Sequence, residues 1–335
     1  MDKTLLNIVS GEFRPFKRIA AAVEPVMPDG GWPRITVITP VLNRADMIET
    51  AIESVQAQDY PDVEHIVMDG GSTDGTLERL TRHSHLKVVS EPDRGSHHAM
   101  NKGIALATGS IIGFLNSDDA YASGIFHVVA RHIAERRGVA VTGKCFLSSL
   151  ITGLGSAADA ELCHAEVPDW YFLETLYATP GFNSYFFARH VLAELRGVDE
   201  CYDIAADRDF LIRMILAHYQ PTFLDLPGYC YRRHEGSRTL GGQSQTGERI
   251  LAEHRTIATR HLTVSALSVE KRRALLQWRA WETARLLRHY QHGGRWVDAV
   301  SLLQKALSED LFWPCRVPAA MSAMRQLRSI YGSSG

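Results

Sequence analysis

The sequence predicts an α/β protein built on a mostly parallel β-sheet with helices on its faces, followed by an all-helical C-terminal region. Two observations predict it. Between residues 34 and 137, apolar runs alternate with helical spacings about every 25 residues, and parallel strands need such crossover helices between them. From about Thr246 onwards, apolar residues recur at helical spacing alone.

Within this plan, the apolar runs are the predicted strands, and the spacings between them are the predicted helices. The strands are Ile35–Thr39, His65–Met68, Val88–Val89, Ile111–Leu115, Val139–Lys144, Tyr185–Ala188, Thr222–Leu226 and Tyr229–Arg232. The helices are Ala45–Gln58, one from about Asp74, His97–Ala107, Gly124–Arg136, Asp207–Ala217, Leu275–Tyr290 and Trp296–Leu307. We therefore divide the chain into an N-terminal extension at 1–33, an α/β domain at 34–245 with halves at 34–137 and 138–245, and a helical region at 246–335.

The composition argues against several classes of protein. Apolar residues make up 45% of the chain and charged residues 22%, the balance of a globular protein with a sizeable core. A net charge of −2 argues against a dedicated nucleic-acid binder, which usually carries a basic excess. Five cysteines without a C-x-x-C pair suit reduced thiols in a cytoplasmic protein. Because no run approaches the ~20 apolar residues of a membrane span, any membrane contact would be peripheral, at the inner face of the cell membrane.

Polar segments follow all four of the first predicted strands. They are PVLNR, DGGSTDGT, EPDRGSHH and NSDDA, in chain order. The carboxyl ends of parallel strands open on one edge of a sheet, and the ligands of such sheets bind there. The sequence therefore predicts a site for a polar ligand at this edge.

The NSDD segment, residues 116–119, predicts a metal site. Asp118 and Asp119 emerge from the end of a strand that is apolar throughout, where adjacent carboxylates repel each other unless a cation neutralises them. Mg²⁺ or Mn²⁺ is the simplest neutraliser, since Mg²⁺ commonly takes one or two carboxylates together with substrate phosphates. The alternative is a helix N-terminus at which acids interact favourably with the helix dipole.

The segments DGGSTDGT and EPDRGSHHAMNKG supply groups that suit a nucleotide. Asp69 closes a strand and can accept a hydrogen bond from an imide or a ribose hydroxyl; the alternative is a strand–turn–helix joint with a capped helix. Arg94 and Lys102 flank a helix start, where backbone N–H groups already favour anions, so they could hold a diphosphate. The alternative there is a solvated basic loop.

Two later segments leave catalysis and simpler roles open. In DIAADRDFLIRM, Asp207 and Asp209 begin an apolar-striped helix, either as capping residues or with a general base among them. In YRRHEGS, Arg232, Arg233 and His234 end a strand and either close over phosphates or a metal, or form a charged surface.

Together, these segments resemble family 2 of the glycosyltransferases over residues 34–238. The matching segments are ITPVLNRADMIETAIESVQAQDYPDVEHIVMDGGSTDGT, SEPDRG, AMNKGIALATG, IIGFLNSDD, IAADRDFLIRM and YRRHEGS. The resemblance implies the GT-A fold and an inverting transfer of a sugar from a nucleotide-diphosphate donor. The nearest type is the bacterial group that builds surface polysaccharides and lipopolysaccharides. The resemblance also implies that residues 34–137 form the nucleotide-binding half of a catalytic domain and residues 138–245 its acceptor half.

The resemblance also implies roles for single residues. Asp207 would be the catalytic base, and Asp118 and His234 would be ligands of a Mn²⁺ or Mg²⁺ cofactor. Asp69 would meet the base of the donor, commonly uracil, which favours a UDP-sugar. The implied donor-binding residues are Thr39, Pro40, Val41, Asn43, Asp69, Arg94, Gly95, Asn101, Lys102, Asn116, Ser117 and Asp118.

Three positions depart from the family's pattern. Asn116 stands where the D-x-D motif has its first Asp, which leaves the motif one charge weaker. Ala206 replaces the Glu of a Glu-Asp pair, which removes an acceptor contact and keeps the base. Phe182-Asn183 stands where relatives often carry His-Gln, on the acceptor side.

Two other functions stay open at this point. A nucleotidyltransferase that makes the donor would need a Gly-rich basic loop after the first strand, and PVLNR lacks one. A non-catalytic scaffold would bind the nucleotide-sugar and dock on a partner through the helical tail. For the transferase, the acceptor is a hydroxyl of a glycan or a lipid-linked oligosaccharide, and nucleic acid is not a partner.

The C-terminal region leaves its own partner open. Residues 311–331 carry Trp313, Arg316, Arg325 and Arg328 among apolar residues, so this segment could lie on an anionic membrane surface. A helix packed on the catalytic domain is the alternative, and a homodimer is a further arrangement that the sequence leaves open.

Overall fold

A computed structural model of the 335-residue chain describes residues 31–136, 140–147, 169–178, 181–219, 221–232 and 244–331. The chain divides into two compact units. The first comprises residues 1–163, 181–200 and 217–233, and the second comprises 164–180, 201–216 and 234–335. The domain boundaries predicted at residues 33 and 245 stay a prediction.

The first unit is built on a mixed β-sheet, which within the described ranges has eight strands. The strands are β1 (Ile35–Val41), β2 (Val63–Asp69), β3 (Leu86–Ser90), β4 (Ile111–Phe114), β5 (Ala120–Tyr121), β6 (Ala140–Leu147), β7 (Tyr185–Ala188) and β8 (Pro221–Tyr231). Their order across the sheet is β3-β2-β1-β4-β7-β6-β8-β5. Neighbours among β1 to β4 pair in parallel, as do β6 and β8, whereas β7 is antiparallel to β4 and β6, and β5 is antiparallel to β8. The predicted α/β fold with a mostly parallel sheet is confirmed.

Helices cover both faces of the parallel half of the sheet. They are α1 (Ile48–Gln56), α2 (Thr76–Leu80), α3 (Ser96–Leu106), α4 (Ile125–Arg136) and α6 (Arg189–Glu194). Helices α1 and α4 share one apolar core with β1, in which Ile52, Phe126 and Val37 are fully buried. Helix α3 lies on the opposite face, where Gly103 approaches Ile38 so closely that a Cβ at position 103 would lie 2.4 Å from it. The sheet edge that carries the predicted ligand site is therefore held by packed layers on both sides.

The second unit is helical among its described residues. Its helices are α5 (Asp169–Tyr177), α7 (Ala206–Leu216), α8 (Ser244–His261), α9 (Val269–His292), α10 (Trp296–Glu309) and α11 (Trp313–Tyr331). Trp278 of α9 is fully buried, and the Arg208 guanidinium lies 5.9 Å from the centre of its ring. Arg208 also donates to the carbonyl oxygens of Leu176 and Ala178, at 2.7 and 2.6 Å. These carbonyls end α5, where a cation is favoured by the helix dipole.

One predicted element is wrong in its boundaries. The two strands predicted over Thr222–Leu226 and Tyr229–Arg232 are one strand, β8. The register between β6 and β8 shifts on both sides of Lys144, so that Lys144 lies opposite Pro227. Proline cannot donate to a β-ladder, and a bulge absorbs the missing hydrogen bond without ending the strand.

No helix within the described ranges is both long enough and apolar enough to cross a membrane.

The close packing of β4 gives a stability prediction. A Cβ at Gly113 would lie 2.7 Å from the Tyr121 hydroxyl and 2.8 Å from the Phe186 ring. Because both rings are buried, Gly113→Ala should lower the free energy of unfolding by about 1–3 kcal/mol. Gly247→Ala in α8 is the control, since a Cβ there meets nothing within 4 Å and alanine favours a helix by up to about 1 kcal/mol. Urea unfolding of the full chain measures both, and equal stability of the two variants would contradict the packing argument.

Candidate functional site

The carboxyl ends of β1 to β4 lie side by side at one edge of the sheet, because these strands pair in parallel in the order β3-β2-β1-β4. The four polar segments that the sequence singles out follow these ends. The site is therefore built from loops on a rigid scaffold, an arrangement that positions polar groups for a ligand.

The loop after β1 is fastened to the loop after β2. The backbone N–H of Asn43 donates to Ser72 Oγ at 2.8 Å, and Asn43 Oδ1 accepts from the Thr73 N–H at 2.9 Å. Asn43 has a positive φ of 52°, which asparagine tolerates better than most residues. Asp74 accepts from the Ala45 N–H at 3.0 Å. The predicted donor-binding residue Asn43 is thus held in one orientation by the second loop.

Asp69 is buried at the end of β2, and its carboxylate joins three segments. Both of its oxygens lie 3.2 Å from the Ser72 N–H, and Oδ2 accepts from the Ser90 hydroxyl at 2.6 Å. Its backbone carbonyl accepts from the Glu91 N–H at 3.0 Å. A buried carboxylate is costly unless donors surround it, and here the donors come from β3 and from the loop after β2. The structure thus gives Asp69 a bracing role, and its contact with the base of a donor stays a prediction.

Thr39, Pro40 and Val41 lie within β1, and their side chains are buried. Thr39 Oγ1 lies 2.9 Å from His65 Nε2. Burial, together with the charges of the nearby His85 and His83, lowers the pKa of His65 to about 3. This ring is therefore neutral near pH 7.

The predicted cationic residues after β3 are paired within the first unit. The Arg94 guanidinium donates to Glu200 Oε2 at 2.6 Å, and Asn101 Nδ2 donates to Glu200 Oε1 at 2.9 Å. Burial opposes the ionisation of Glu200, yet the hydrogen bonds from Asn101 and Arg94 keep its pKa below its ordinary value. Lys102 Nζ lies 3.0 Å from Glu91 Oε1. The Arg94 side chain remains largely exposed, so a ligand could still reach it.

Two other predicted donor-binding residues, Asn101 and Gly95, make hydrogen bonds within the protein. Asn101 also donates to the Val198 carbonyl at 2.9 Å and accepts from the Val198 N–H at 3.0 Å. Gly95 precedes α3 with a φ of 118°, and its N–H donates to Asp93 Oδ1 at 2.8 Å. Both residues shape the loop that carries Arg94.

The NSDD loop is organised around Asp119, which is buried. Asp119 Oδ2 accepts from the Tyr229 hydroxyl at 2.6 Å and from Asn116 Nδ2 at 3.0 Å. Asp119 Oδ1 accepts from the Arg232 N–H at 2.8 Å. Burial and the neighbouring Asp118 carboxylate raise the pKa of Asp119 above its ordinary value, and these three donors oppose the rise.

This arrangement assigns different positions to the two carboxylates. Asp119 and Asn116 bind each other and the β8 end, Ser117 is buried, and Asp118 is half-buried. Burial is the larger cause of the raised pKa of Asp119, and a divalent cation at Asp118 would offset the second cause, the charge of the Asp118 carboxylate. One carboxylate is a sufficient protein ligand for Mg²⁺ or Mn²⁺ when phosphate oxygens complete the coordination.

Within the described ranges there is no cluster of three histidine, cysteine or acidic side chains that could hold a metal alone. The other predicted metal ligand, His234, and its neighbour Arg233 lie outside the described residues.

The predicted base, Asp207, lies in the first turn of α7 in the second unit. The loop before this helix is bound by one carboxylate from α8. Glu253 accepts from the N–H groups of Asp203, Ile204 and Ala205 at 2.9, 3.0 and 2.8 Å. Three donors on one carboxylate fix the backbone immediately before Asp207.

The second aspartate of this helix has a structural role. Asp209 is fully buried and accepts from His261 Nε2 at 2.9 Å and from Arg213 Nε at 2.7 Å. Burial opposes its ionisation, but the hydrogen bond from His261 and the Arg213 charge keep its pKa below the ordinary value. Asp209 therefore joins α7 to the end of α8, and the role of Asp207 as the base stays a prediction.

Sequence reasoning missed several residues that organise these loops. Ser72 lies within a segment that drew notice for its aspartates, and Ser90 could have been found as the residue that ends β3 beside Asp69. Tyr229, Glu200 and Glu253 act across 50 to 110 positions, and no local pattern marks them.

Known protein sequences match a large part of this chain. The family model described as Glycosyl transferase family 2 matches residues 36–188. An uncharacterized glycosyltransferase of Mycobacterium tuberculosis is 34% identical over 190 residues, which cover 55% of this chain and 70% of the relative. A PGL/p-HBAD biosynthesis glycosyltransferase of Mycobacterium bovis is 28% identical over 195 residues, covering 54% and 69% of the two chains.

Solved structures share the architecture at low identity. S. aureus TarS, residues 1–349, has a TM-score of 0.60 at 19% identity and covers 90% of each chain; the same protein was solved in complex with UDP-GlcNAc. The mannosyltransferase PcManGT of Pyrobaculum calidifontis, in complex with GDP-Man and Mn²⁺, has a TM-score of 0.55 at 20% identity and covers 97% and 94% of the two chains. These structures establish the fold, and the sequence match establishes the family: the chain belongs to glycosyl transferase family 2 and is a glycosyltransferase with the GT-A fold.

Proposed function

We propose that this glycosyltransferase moves a sugar from a nucleotide-diphosphate-sugar, with a UDP-sugar as the first candidate, to a hydroxyl of a glycan or a lipid-linked acceptor, with inversion at the anomeric carbon. The observation that carries the proposal is the set of four polar loops at one sheet edge, braced by the buried carboxylates Asp69 and Asp119. Such bracing fixes the loops before a ligand arrives, which reduces the entropy lost on binding.

In the proposed reaction, the acceptor oxygen attacks the anomeric carbon while the bond from that carbon to the diphosphate breaks. Asp207 takes the proton of the acceptor hydroxyl, and a single displacement inverts the configuration. A divalent cation, when bound at Asp118, would stabilise the charge of the departing diphosphate. Arg94, in the loop after β3, would add a positive charge beside the diphosphate. Its side chain is exposed, and the ion pair with Glu200 orients it.

The donor class has support from two directions. The resemblance of the loop after β2 favours uracil, and TarS was solved with UDP-GlcNAc. PcManGT was solved with GDP-Man, so guanine is the next candidate. Thermal unfolding with each nucleoside diphosphate and Mn²⁺ separates these donors, because a ligand that binds the native state raises its melting temperature.

The assignment of Asp207 as the base gives the first prediction. Asp207→Asn should lower the rate of sugar transfer by about 10²–10⁴-fold, because the amide of asparagine cannot take the acceptor proton. The affinity for the sugar donor should stay unchanged. Asp298→Asn is the matched control, because Asp298 is also an acid in the first turn of a helix of the same unit. Transfer by the Asp207 variant at the wild-type rate would remove Asp207 from the mechanism.

A second prediction concerns the metal. Donor binding that depends on Mn²⁺ should weaken in Asp118→Asn, so that the combination of donor and Mn²⁺ no longer raises the melting temperature as it does for the wild type. Asp62→Asn is the control: Asp62 precedes β2 at the other end of the strand and pairs with Arg34 at 2.7 Å. The same Mn²⁺-dependent shift in both variants would argue that Asp118 is not a ligand.

A third prediction tests the brace before α7. Glu253→Gln keeps a side chain of the same size but replaces one acceptor oxygen by a donor facing N–H groups, so the loop before Asp207 should move. Transfer should fall by up to about 100-fold, with donor affinity unchanged. Glu270→Gln, an exposed first-turn acid of α9, should have no effect.

Combining the two changes separates positioning from a general loss of structure. If Glu253 acts through Asp207, adding Glu253→Gln to Asp207→Asn should cost little further activity, because the two losses are not additive. A fully additive loss would show that Glu253 acts elsewhere.

A further inference from the structure

Helix α10 of the second unit has an apolar face that points to solvent. We call it the α10 face and define it by five helix residues, Trp296, Val297, Val300, Leu303 and Leu307, together with Leu311 and Phe312, which follow the end of the helix. Trp296 is 62% exposed, Val297 84% and Phe312 66%, which is unusual for side chains of this size and character.

The α10 face is separate from the side of the helix that packs on the second unit. Ala306 is buried beside Ala280 and Trp313, and Ala299 is buried as well. Ser301, Lys305 and Ser308 are exposed on the polar side. Helix α10 is thus apolar on two adjacent sides, and its own unit covers one of them.

The spacing of the α10 face is that of a helix–helix seam. Trp296, Val300, Leu303 and Leu307 follow each other at intervals of four, three and four residues, the alternation of a and d positions in paired helices. A β-branched residue and a leucine occupy the middle of this seam, as in many helix pairs. The pattern indicates a helical partner rather than a disordered segment or a small ligand.

The size of the face suits a stable interface. Its seven side chains expose on the order of 700 Å², close to the roughly 800 Å² that each partner of a standard protein–protein interface buries. It also exceeds the largest apolar patch of a typical monomer, at roughly 300–600 Å².

The charges near the face favour a protein partner over an anionic membrane. Helix α10 carries Asp298, Lys305 and Glu309, whereas helices that lie on anionic lipid are rich in lysine and arginine. Two residues of the segment predicted to lie on a membrane make contacts within the second unit instead. Trp313 is buried, and Arg316 pairs with Asp310 at 2.7 Å.

We propose that the α10 face is the interface of a homodimer, in which α10 packs antiparallel on α10 of a second copy. A two-fold axis through the middle of the seam sets Trp296 opposite Leu307 of the second copy and Val300 opposite Leu303 of the second copy. Each of the four side chains of the seam then meets another apolar side chain, and the same patch serves both copies, as a two-fold interface requires. This proposal concerns a surface outside the donor loops and does not depend on the proposed reaction.

The test uses the full-length chain and its mass in solution, measured by sedimentation equilibrium. The wild type should have twice the chain mass at tens of micromolar. A Lys form, Val300→Lys with Leu303→Lys, and a Glu form, Val300→Glu with Leu303→Glu, should each be monomeric, because like charges meet across the axis. An equimolar mixture of the two forms should return to twice the chain mass, because each lysine then faces a glutamate.

The matched control places the same charges on the polar side of the helix. Ser301→Lys with Ser308→Lys should remain dimeric. Since the substituted positions are exposed, all forms should keep the helical content of the wild type, and circular dichroism verifies this. A monomeric wild type, Lys and Glu forms that still dimerise, or a mixture that stays monomeric would overturn the proposal.

Vesicles distinguish the other partner. A wild type that stays monomeric but sediments with vesicles of phosphatidylserine and phosphatidylcholine, and loses this property in the Glu form, would assign the α10 face to a membrane surface and overturn the dimer.

Discussion

The sheet edge proposed to bind the sugar donor depends on buried carboxylates that accept hydrogen bonds from backbone and hydroxyl groups in distant parts of the chain. Asp119 is the clearest case: it receives the Tyr229 hydroxyl and the Arg232 N–H, and so joins the loop after β4 to the end of β8. A buried carboxylate is costly unless donors surround it, and these donors offset that cost while they join the loop to β8. Asp69 makes a similar joint between β2 and β3.

Because these joints connect residues that are far apart in the chain, the sequence could predict the strands, the helices and the polar loops, but not the contacts that hold the loops. Alternating apolar runs locate β1 to β4 and their helices, because period and length are local properties of the chain. The same local signal failed at β8, where two predicted strands are one strand whose register with β6 shifts on both sides of Lys144. The polar loops were found because four of them end neighbouring strands. Which aspartate in NSDD faces inward could not be predicted, since Asp119 is selected by Tyr229, 110 positions away.

In the second unit, too, carboxylates join segments that are distant in the chain. The family match ends at residue 188, yet the helix that carries Asp207 and the Glu253 carboxylate that holds its loop both lie beyond it. Asp209 adds a buried bond to His261 at the end of α8. The C-terminal helices thus support α7 directly, and a change in α8 reaches the proposed base through backbone hydrogen bonds. If Asp207 is the base, as proposed, that coupling gives the helical region a part in positioning it.

Asn116 shows how a departure from a family pattern can be accommodated. Its amide donates to Asp119 Oδ2, which a carboxylate at position 116 could not do while ionised. An aspartate there would place three acids within four residues, beside a carboxyl group whose pKa burial and Asp118 already raise. The amide removes that repulsion and contributes a donor to the joint with β8. In this chain the loop after β4 is therefore held by neutral and backbone donors. Under the proposed mechanism, the charge that attracts a cation is concentrated on Asp118, and metal binding would depend more strongly on the phosphates of the donor than it would with two acidic ligands.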